Sequence, residues 1–452
     1  MINEFSKKEA PIQGLAGFGG GVVSRMLGAG GSEYWIATLG GSSDDESQDI
    51  ALDSNENIFV VGYTQSSGAG NRDASIAKFA NDGTLEWQRT LGGTGDDRFY
   101  GVTIDSSDNV YVCGLEESEG AGSLDTLMVK YNNSGTLQWQ KTNGTTLSDY
   151  LYSIGIDSSN NVYACGVRAN SANLSNMAIY KRSSAGALSS VRSFSNGGHT
   201  YGHAIAVSGT DQYIACYYDA GSPSFDVYIS KLNSGQSIVW ERTLSSNLGD
   251  FPALHGLAVD TSGNLYVLVE FTDGVYPDLE VVKYNSSGTI QWQRRITQYA
   301  HLYPTAITTD SDDNVYVVAQ GNGVGAGNYD WFIAKWNSSG TIQFQRALGG
   351  TSSDTPHGIK VVGDNMYITG RTQSAGEGNY DVMIAKLPKD GSKTGTYGSF
   401  TYQATSLTEA AGSLTGGSST NFSVSSPKGS PTERTSTLTD STSSFTESLT
   451  VV

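Results

Sequence analysis

Acidic turns are the first residues in this 452-residue chain with types and spacing that could carry chemistry. Carboxylates recur after Gly-Gly or related turns, and Ca²⁺ prefers oxygen ligands of this kind. No such turn has the spaced aspartates and closing glutamate of a dedicated calcium loop. An aspartate in a turn commonly accepts backbone N–H groups, so turn capping is the favoured interpretation and Ca²⁺ the weaker alternative. The acidic residues are Asp44, Asp45, Asp96, Asp97, Asp149, Asp250 and Asp354.

Three histidines, His203, His255 and His357, occupy equivalent positions in different copies of a repeat. Imidazoles at one site could hold a transition metal. These three come from separate repeats and have no carboxylate partner, so a structural role is favoured. The sequence therefore predicts no cofactor and no metal beyond the weak Ca²⁺ alternative.

Catalytic motifs are missing from the chain. It contains no Gly-x-Ser-x-Gly elbow and no HExxH helix, and no repeat concentrates unusual carboxylates or nucleophiles. The sequence thus predicts a protein that is not an enzyme. Cys113, Cys165 and Cys216 share one apolar position of successive repeats, which predicts buried free thiols rather than disulfides.

The elements that must position these residues are short β-strands. Residues 91–142 contain the segments FYGVTI, NVYVCG, TLMVKY and TLQWQK, separated by Asx-rich or Gly-rich turns. Four strands in about fifty residues, repeated at a fixed period, are typical of a propeller blade. Seven copies follow one another, beginning near Leu39, Leu91, Asn143, Phe194, Leu244, Ile296 and Leu348.

The aromatic residue of the fourth strand is out of phase with the ends of the chain. The seventh copy lacks it, whereas Trp35 precedes the first copy. An N-terminal strand that completes the last blade would close the ring and remove an open sheet edge. We therefore predict an all-β fold: one seven-bladed β-propeller of four-stranded blades, spanning 32–398 and closed at Trp35.

The recurring pattern GG…D…IAVDSSGNVYVxG…YDxxIAKxxSSGTxxWQR resembles the SBBP (seven-bladed β-propeller) repeat family over about four-fifths of the chain. The resemblance implies the fold and says much less about function, because propellers host enzymes, adaptors and receptor binders. The Gly-rich segment 1–31 resembles the particle-anchoring arms of bacteriophage virion proteins, tail fibres in particular. This second resemblance implies a localisation in the virion.

Two extensions flank the propeller. The arm, 1–31, has too few large side chains to form a core. The tail, 399–452, is rich in Ser and Thr, and its alternation with Phe422, Val424 and other apolar residues could add strands to a partner. We expect both extensions to contact other virion proteins, in a protein that forms homo-oligomers on the particle.

Composition excludes some partners. The formal net charge is −18 and the basic residues form no cluster, which argues against nucleic acid. No apolar stretch is long enough to span a bilayer, and the N-terminus lacks the apolar core of a signal peptide. The sequence predicts no membrane insertion.

Loop variation predicts the binding face. Copies three and four depart most from the repeat, and copies five and six replace the LGG opening with LSSNLGDFP and ITQYAHLYP. A broad loop-rich face suits a host-surface glycan or protein. The candidate contact residues are Phe251, His255, Tyr299, His301 and Tyr303.

The predicted function is a phage tail-fibre or receptor-binding component. A capsid decoration or tail-wall protein is the alternative in the same setting. A propeller enzyme, either a glycan hydrolase, a lyase or a quinoprotein, is the alternative of another class. A bacterial surface adhesion module is the third, and the missing signal argues against it.

Overall fold

The computed structural model describes residues 34–451, apart from 120–122, 171, 173, 220–224, 246–252, 273–275, 298–300, 413, 418–422, 426–431, 436–438 and 442–445. The N-terminal arm, 1–31, and the predicted contact residues Phe251 and Tyr299 lie outside the described residues. The described chain contains β-strands and no helix.

The first twenty-eight strands form seven antiparallel sheets of four strands, the blades of a propeller. The first strand of the chain, β1 (Trp35–Gly40), belongs to the last blade. Blade 1 contains β2 (Asp45–Leu52), β3 (Ile58–Thr64), β4 (Asp73–Phe79) and β5 (Leu85–Gly92). Blade 2 contains β6 (Arg98–Ile104), β7 (Val110–Glu116), β8 (Asp125–Tyr131) and β9 (Leu137–Gly144). Blade 3 contains β10 (Tyr150–Ile156), β11 (Val162–Ala169), β12 (Ser175–Arg182) and β13 (Leu188–Ser195).

The remaining blades repeat this order. Blade 4 contains β14 (Thr200–Ser208), β15 (Asp211–Asp219), β16 (Phe225–Leu232) and β17 (Ile238–Ser245). Blade 5 contains β18 (Ala253–Val259), β19 (Leu265–Thr272), β20 (Pro277–Tyr284) and β21 (Ile290–Thr297). Blade 6 contains β22 (Leu302–Thr309), β23 (Val315–Asn322), β24 (Tyr329–Trp336) and β25 (Ile342–Gly349). Blade 7 contains β26 (Asp354–Val362), β27 (Asn365–Thr372), β28 (Asp381–Pro388) and β1.

Ring closure at Trp35 is confirmed. Strand β1 pairs antiparallel with β28, with Trp35 opposite Lys386. The Trp35 indole N–H donates to the Asn81 carbonyl of blade 1 at 3.0 Å. The fourth-strand tryptophan of blade 1, Trp87, makes the equivalent bond to Asn133 of blade 2 at 3.1 Å. The N-terminal strand therefore acts as a fourth strand in its packing as well as its pairing.

Adjacent blades are held together by apolar clusters and by recurring polar contacts. Each cluster of buried side chains draws on neighbouring blades; one contains Tyr111 of blade 2 with Leu151 of blade 3. Gly135 has a φ of 77°, and a β-carbon there would lie 2.7 Å from the Trp87 ring, so the turn requires glycine. The three cysteines are buried and free, as predicted.

The C-terminal tail surrounds the propeller. The hairpin β29 (Gly395–Tyr397) and β30 (Phe400–Ala404) pairs with the outer strand of blade 6. Each later strand extends one more blade, in reverse blade order, so that every blade gains a further outer strand. We call these seven strands, β30 to β36, the strap. They continue with β31 (Thr408–Ala411) on blade 5, β32 (Thr415–Gly417) on blade 4, β33 (Ser423–Ser425) on blade 3, β34 (Thr432–Thr435) on blade 2, β35 (Thr439–Ser441) on blade 1 and β36 (Thr446–Val451) on blade 7.

The tail was expected to add strands to a partner, and its described strands pair instead with this chain's own blades. Strand β36 pairs with β1, so β1 lies between β28 and β36. The first strap anchors, Phe400 and Leu414, are buried, and Leu407 is half-buried. The Leu407 backbone N–H donates to Gln345 Oε1 at 2.6 Å, and Gln345 Nε2 returns a bond to the Leu407 carbonyl at 3.0 Å.

Candidate functional site

Every inner strand carries one β-bulge, and the bulged residue projects towards the central channel. In blade 2, Phe99 pairs with Gly114 and Gly101 with Cys113, which leaves Tyr100 unpaired. A bulge re-aims one side chain without breaking the sheet. The same register shift occurs in all seven inner strands. The seven bulged residues line one channel cavity of about 360 Å³ and are Gln48, Tyr100, Tyr152, His203, His255, Thr305 and His357.

The three histidines predicted to share a position therefore lie in one channel, but as a ring rather than a cluster. His203 and His255 are neighbours, with ring centroids 6.3 Å apart. His255 Nε2 lies 3.3 Å from Glu270 Oε2. Among the described residues, no group of three or more His, Cys, Asp or Glu side chains could hold a metal.

Aromatic side chains of blades 2, 3 and 4 form a continuous surface at the channel mouth. Tyr152 lies at its centre, with ring centroids 5.2 Å from Tyr100, Tyr150 and His203. Tyr217 continues the series, 6.5 Å from His203 and stacked at 4.9 Å on Tyr201. All six rings are half-buried, so each keeps an accessible side. We call this set the aromatic ridge: Tyr100, Tyr150, Tyr152, Tyr201, His203 and Tyr217.

The ridge carries little charge. Burial, followed by the nearby His255, lowers the pKa of His203 to about 4, so this imidazole is neutral near pH 7. Burial raises the pKa of Tyr152, which keeps its hydroxyl protonated. The adjacent Arg98 is held by Asp96, with Nε 2.8 Å from Oδ1. The surface therefore offers rings and neutral donors and acceptors.

Two predicted contact residues come together in a second, smaller cluster. His301 lies 4.9 Å from Tyr276 and 6.1 Å from Tyr303, measured between ring centroids. Tyr303 is 6.4 Å from Tyr329. The third described candidate, His255, lies in the channel ring instead. The residues that sequence reasoning missed are Tyr150, Tyr201 and Tyr217; two of them precede a bulged ring by two residues, as Tyr-x-Tyr and Tyr-x-His.

The acidic turns behave as turn caps. Asp45 Oδ2 accepts the Gly41 N–H at 2.8 Å, and Asp354 Oδ2 accepts the Gly350 N–H at 2.7 Å. Asp97 and Asp149 make the equivalent bonds in blades 2 and 3. Within the described part of the chain, no helix has the length and apolarity needed to cross a bilayer.

Known repeat families match parts of this ring. The SBBP β-propeller repeat matches residues 35–68 and 291–325, and a β-propeller domain of unknown function matches residues 54–86. The protein is a β-propeller repeat protein. Each SBBP match covers a fourth strand and the first two strands of the following blade. No curated protein matches the chain.

Solved structures share the architecture at low identity. An ulvan lyase, described as a polysaccharide lyase, is 11% identical over 78% of this chain and 96% of its own, with a TM-score of 0.49. A second polysaccharide lyase is 10% identical over 77% and 90%, with a TM-score of 0.46. The extracellular domains of a Drosophila semaphorin are 7% identical over 77% and 88%, with a TM-score of 0.40. At these identities the likeness shows the fold alone.

The prediction that the chain is not an enzyme is wrong as it was argued. It rested on missing motifs and on a regular repeat. Two of the structures that match most of this chain are polysaccharide lyases. None of the three structures reported above is a phage protein, and the virion setting stays a prediction.

Proposed function

We propose that the protein recognises a glycan, which lies along the aromatic ridge at the channel mouth. The observation that carries this proposal is the unbroken series of rings from Tyr100 to Tyr201, with neighbouring centroids 4.9 to 6.5 Å apart. A sugar ring has an apolar C–H face and a polar hydroxyl edge. Tyrosine and histidine match both, because each combines a flat apolar ring with a polar tip.

The uncharged state of the ridge supports this ligand class. Half-buried tyrosines lose little conformational freedom on binding, which makes them efficient anchors for a weakly charged ligand. Neutral His203 and the tyrosine hydroxyls supply hydrogen bonds to sugar hydroxyls. The channel cavity beneath the ridge can receive a substituent or one end of the chain.

Binding is tested with a glycan array, followed by calorimetry on any glycan that binds. Tyr152→Ala and Tyr201→Ala should each weaken affinity by about tenfold or more, since truncating an aromatic anchor typically costs above 1 kcal/mol. Tyr397→Ala, in the hairpin beside blade 6, is the matched control and should bind like the wild type. If both ridge variants bind with wild-type affinity, the glycan lies elsewhere. If the wild type binds no glycan on the array, the proposal is wrong.

Cleavage of the bound glycan is a second candidate, favoured by one pair of residues. His203 Nδ1 is buried, has no hydrogen-bond partner among the described residues, and belongs to a neutral ring. Tyr152, 5.2 Å away between centroids, is a protonated donor. A proton acceptor beside a donor is the minimum for general acid–base chemistry.

Mass spectrometry of the products separates the possible reactions. Hydrolysis adds one water across the broken bond, whereas elimination adds none and leaves a double bond. His203→Gln should abolish either product, and calorimetry should show that it weakens glycan binding far less than it reduces cleavage. Intact glycan after long incubation with the wild type would leave recognition alone.

Attachment to a phage particle also remains a proposal, supported by the Gly-rich segment 1–31. Cryo-electron microscopy of particles from the source should find the propeller disc on tails or fibres. Disc density over the head would favour the decoration alternative, and particles without the disc would contradict both.

A further inference from the structure

A Gly–Asp–Asp unit recurs at four of the seven blade interfaces. One aspartate begins the third strand of a blade, and the other lies three residues before the bulge of the next blade. The glycine ends the fourth strand between them. We call these the acid-pair units: Gly40 with Asp381 and Asp45, Gly92 with Asp73 and Asp97, Gly144 with Asp125 and Asp149, and Gly349 with Asp330 and Asp354.

The unit between blades 6 and 7 shows the geometry. Gly350 N–H donates to Asp354 Oδ2 at 2.7 Å, and Gly327 N–H donates to Asp330 Oδ2 at 3.0 Å. A β-carbon on Gly349 would overlap Asp330 Oδ1. Glycine therefore keeps open the space into which this carboxylate projects. The unit between blades 7 and 1 is built in the same way, with Gly40 against Asp381.

Each carboxylate in these two units keeps one oxygen without a partner. Oδ1 of Asp330 and Oδ1 of Asp354 are buried and accept no hydrogen bond from the described residues. Asp45 and Asp381 repeat this arrangement. Two buried carboxylates with unpaired oxygens are costly unless a positive charge neutralises them. Burial, and more weakly Asp354, raises the pKa of Asp330 to about 6, which reflects that cost.

Two other interfaces show how this position is neutralised when the unit is incomplete. Between blades 3 and 4 both acids are replaced together, by Asn176 and Thr200. Between blades 5 and 6 Asp278 remains, Leu302 replaces its partner, and the glycine position is Thr297. There Arg295 approaches Asp278, with Nη2 2.6 Å and Nε 3.0 Å from Oδ2.

We propose that the two acid-pair units that join blade 6 to blade 7 and blade 7 to blade 1 bind a hard divalent cation of the Ca²⁺ class, with the unpartnered Oδ1 atoms as ligands. In the other two units, Asp97 Oδ1 accepts the Glu117 N–H and Asp149 Oδ1 accepts the Ala169 N–H, so these oxygens already have partners. The cation occupies the place that the Arg295 guanidinium takes between blades 5 and 6. Ca²⁺ accepts irregular sets of six to eight oxygens, so two carboxylate oxygens with backbone carbonyls or water suit it better than Mg²⁺. Bound there, it fastens one blade to the next.

The first test is stoichiometry on the full chain, freed of metal with a chelator and then titrated with CaCl₂ by calorimetry. Bound calcium, measured by plasma mass spectrometry after gel filtration, should approach two per chain. The melting temperature should rise by about 5 °C or more at saturating Ca²⁺, because the folded state alone holds the sites. Absence of bound calcium at millimolar CaCl₂ would overturn the proposal.

The second test uses Asp330→Asn/Asp354→Asn. This variant should bind one Ca²⁺ fewer, melt above the wild type in chelator because repulsion is gone, and melt below it in Ca²⁺. Asp45→Asn/Asp381→Asn should behave alike and serves if the first variant does not fold. Asp278→Asn/Arg295→Gln is the matched control and should keep the full calcium count. If the two aspartates instead share a proton, Asp330→Asn/Asp354→Asn should be more stable than the wild type both in chelator and in Ca²⁺. That result would refute calcium binding.

Discussion

Two sides of the ring differ in whether the joints between their blades contain the acid-pair unit. At the joints among blades 6, 7, 1, 2 and 3, the glycine and both aspartates recur. Around blades 3 to 6 no joint keeps the complete unit, although Asp226 and Asp278 remain. The same stretch of the ring presents most of the aromatic ridge and the His301 cluster. The joints among blades 6, 7, 1, 2 and 3 therefore repeat one set of contacts, whereas the joints around blades 3 to 6 differ from one another.

This division explains how a repeat protein can acquire a site. A residue that serves the joint between blades is constrained by its partners, because changing it alone leaves a buried charge or a void. The bulged residue faces the channel and has no partner residue on the neighbouring strand, so this position tolerates Gln, Tyr, His or Thr. The bulge thus supplies seven variable positions on an invariant scaffold.

The largest expected effect is on the regular side. Deleting 1–38 removes most of β1, including fully buried Trp35, and leaves β36 without its partner strand. We expect loss of the cooperative transition or a fall in Tm of about 10 °C or more by differential scanning calorimetry. Deleting 1–28 leaves β1 intact and should change Tm by less than about 2 °C. Similar melting of both truncations would contradict ring closure by β1.

The next effect lies on the divergent side. Arg295→Met leaves Asp278 buried without its cation, which should lower the free energy of unfolding by about 3–5 kcal/mol in urea titrations. Adding Asp278→Asn should restore most of that loss, since the pair is then replaced rather than broken. If the double variant is no more stable than Arg295→Met, the stabilisation comes from the stacking of Arg295 on Phe271, at 4.0 Å, instead of the ion pair.

Most of the propeller could be predicted from sequence because its information is periodic. For example, one lysine recurs in the third strand of every blade. Lys130 of blade 2 lies 4.9 Å above the Tyr111 ring, and the corresponding lysine of every other blade lies over an aromatic ring in the same way. The channel-facing position itself was visible in the sequence, because His203, His255 and His357 recur at equivalent places in their repeats. Its bulge was not, because a bulge is a property of pairing register between two strands.

The strap escaped prediction because its signal is short. Each of its strands begins at or beside an apolar residue or proline followed by Thr or Ser, at intervals of seven to nine residues. Such dipeptides are too brief to indicate strands without the blades they extend. The seven dipeptides begin at Phe400, Leu407, Leu414, Phe422, Pro431, Leu438 and Phe445.

Strap docking should have an intermediate effect. Leu414 is 4% exposed and packs in the cluster shared by blades 4 and 5. Leu414→Ala should cost about 2–4 kcal/mol of unfolding free energy, because the blade edges cannot close the cavity fully. Leu407→Ala, at a half-buried anchor, should cost about half as much. Wild-type stability of both variants would mean that the strap contributes no packing energy to the ring.

The smallest expected effect concerns the pH dependence of the ridge. His203 faces Tyr152, Tyr217 and His255, and its pKa in the folded protein is about 4 against an ordinary 6.5. The unfolded chain therefore takes up a proton that the folded chain refuses, so wild-type stability falls as pH drops from about 6.5 to 4. His203→Gln removes this contribution, and the stability difference between wild type and variant should shift by about 2 kcal/mol across that range. Urea titrations at pH 7 and pH 4 measure it. A constant difference would mean that His203 takes up its proton equally in the folded and the unfolded chain, so that the ridge would carry a charged imidazole at pH 4.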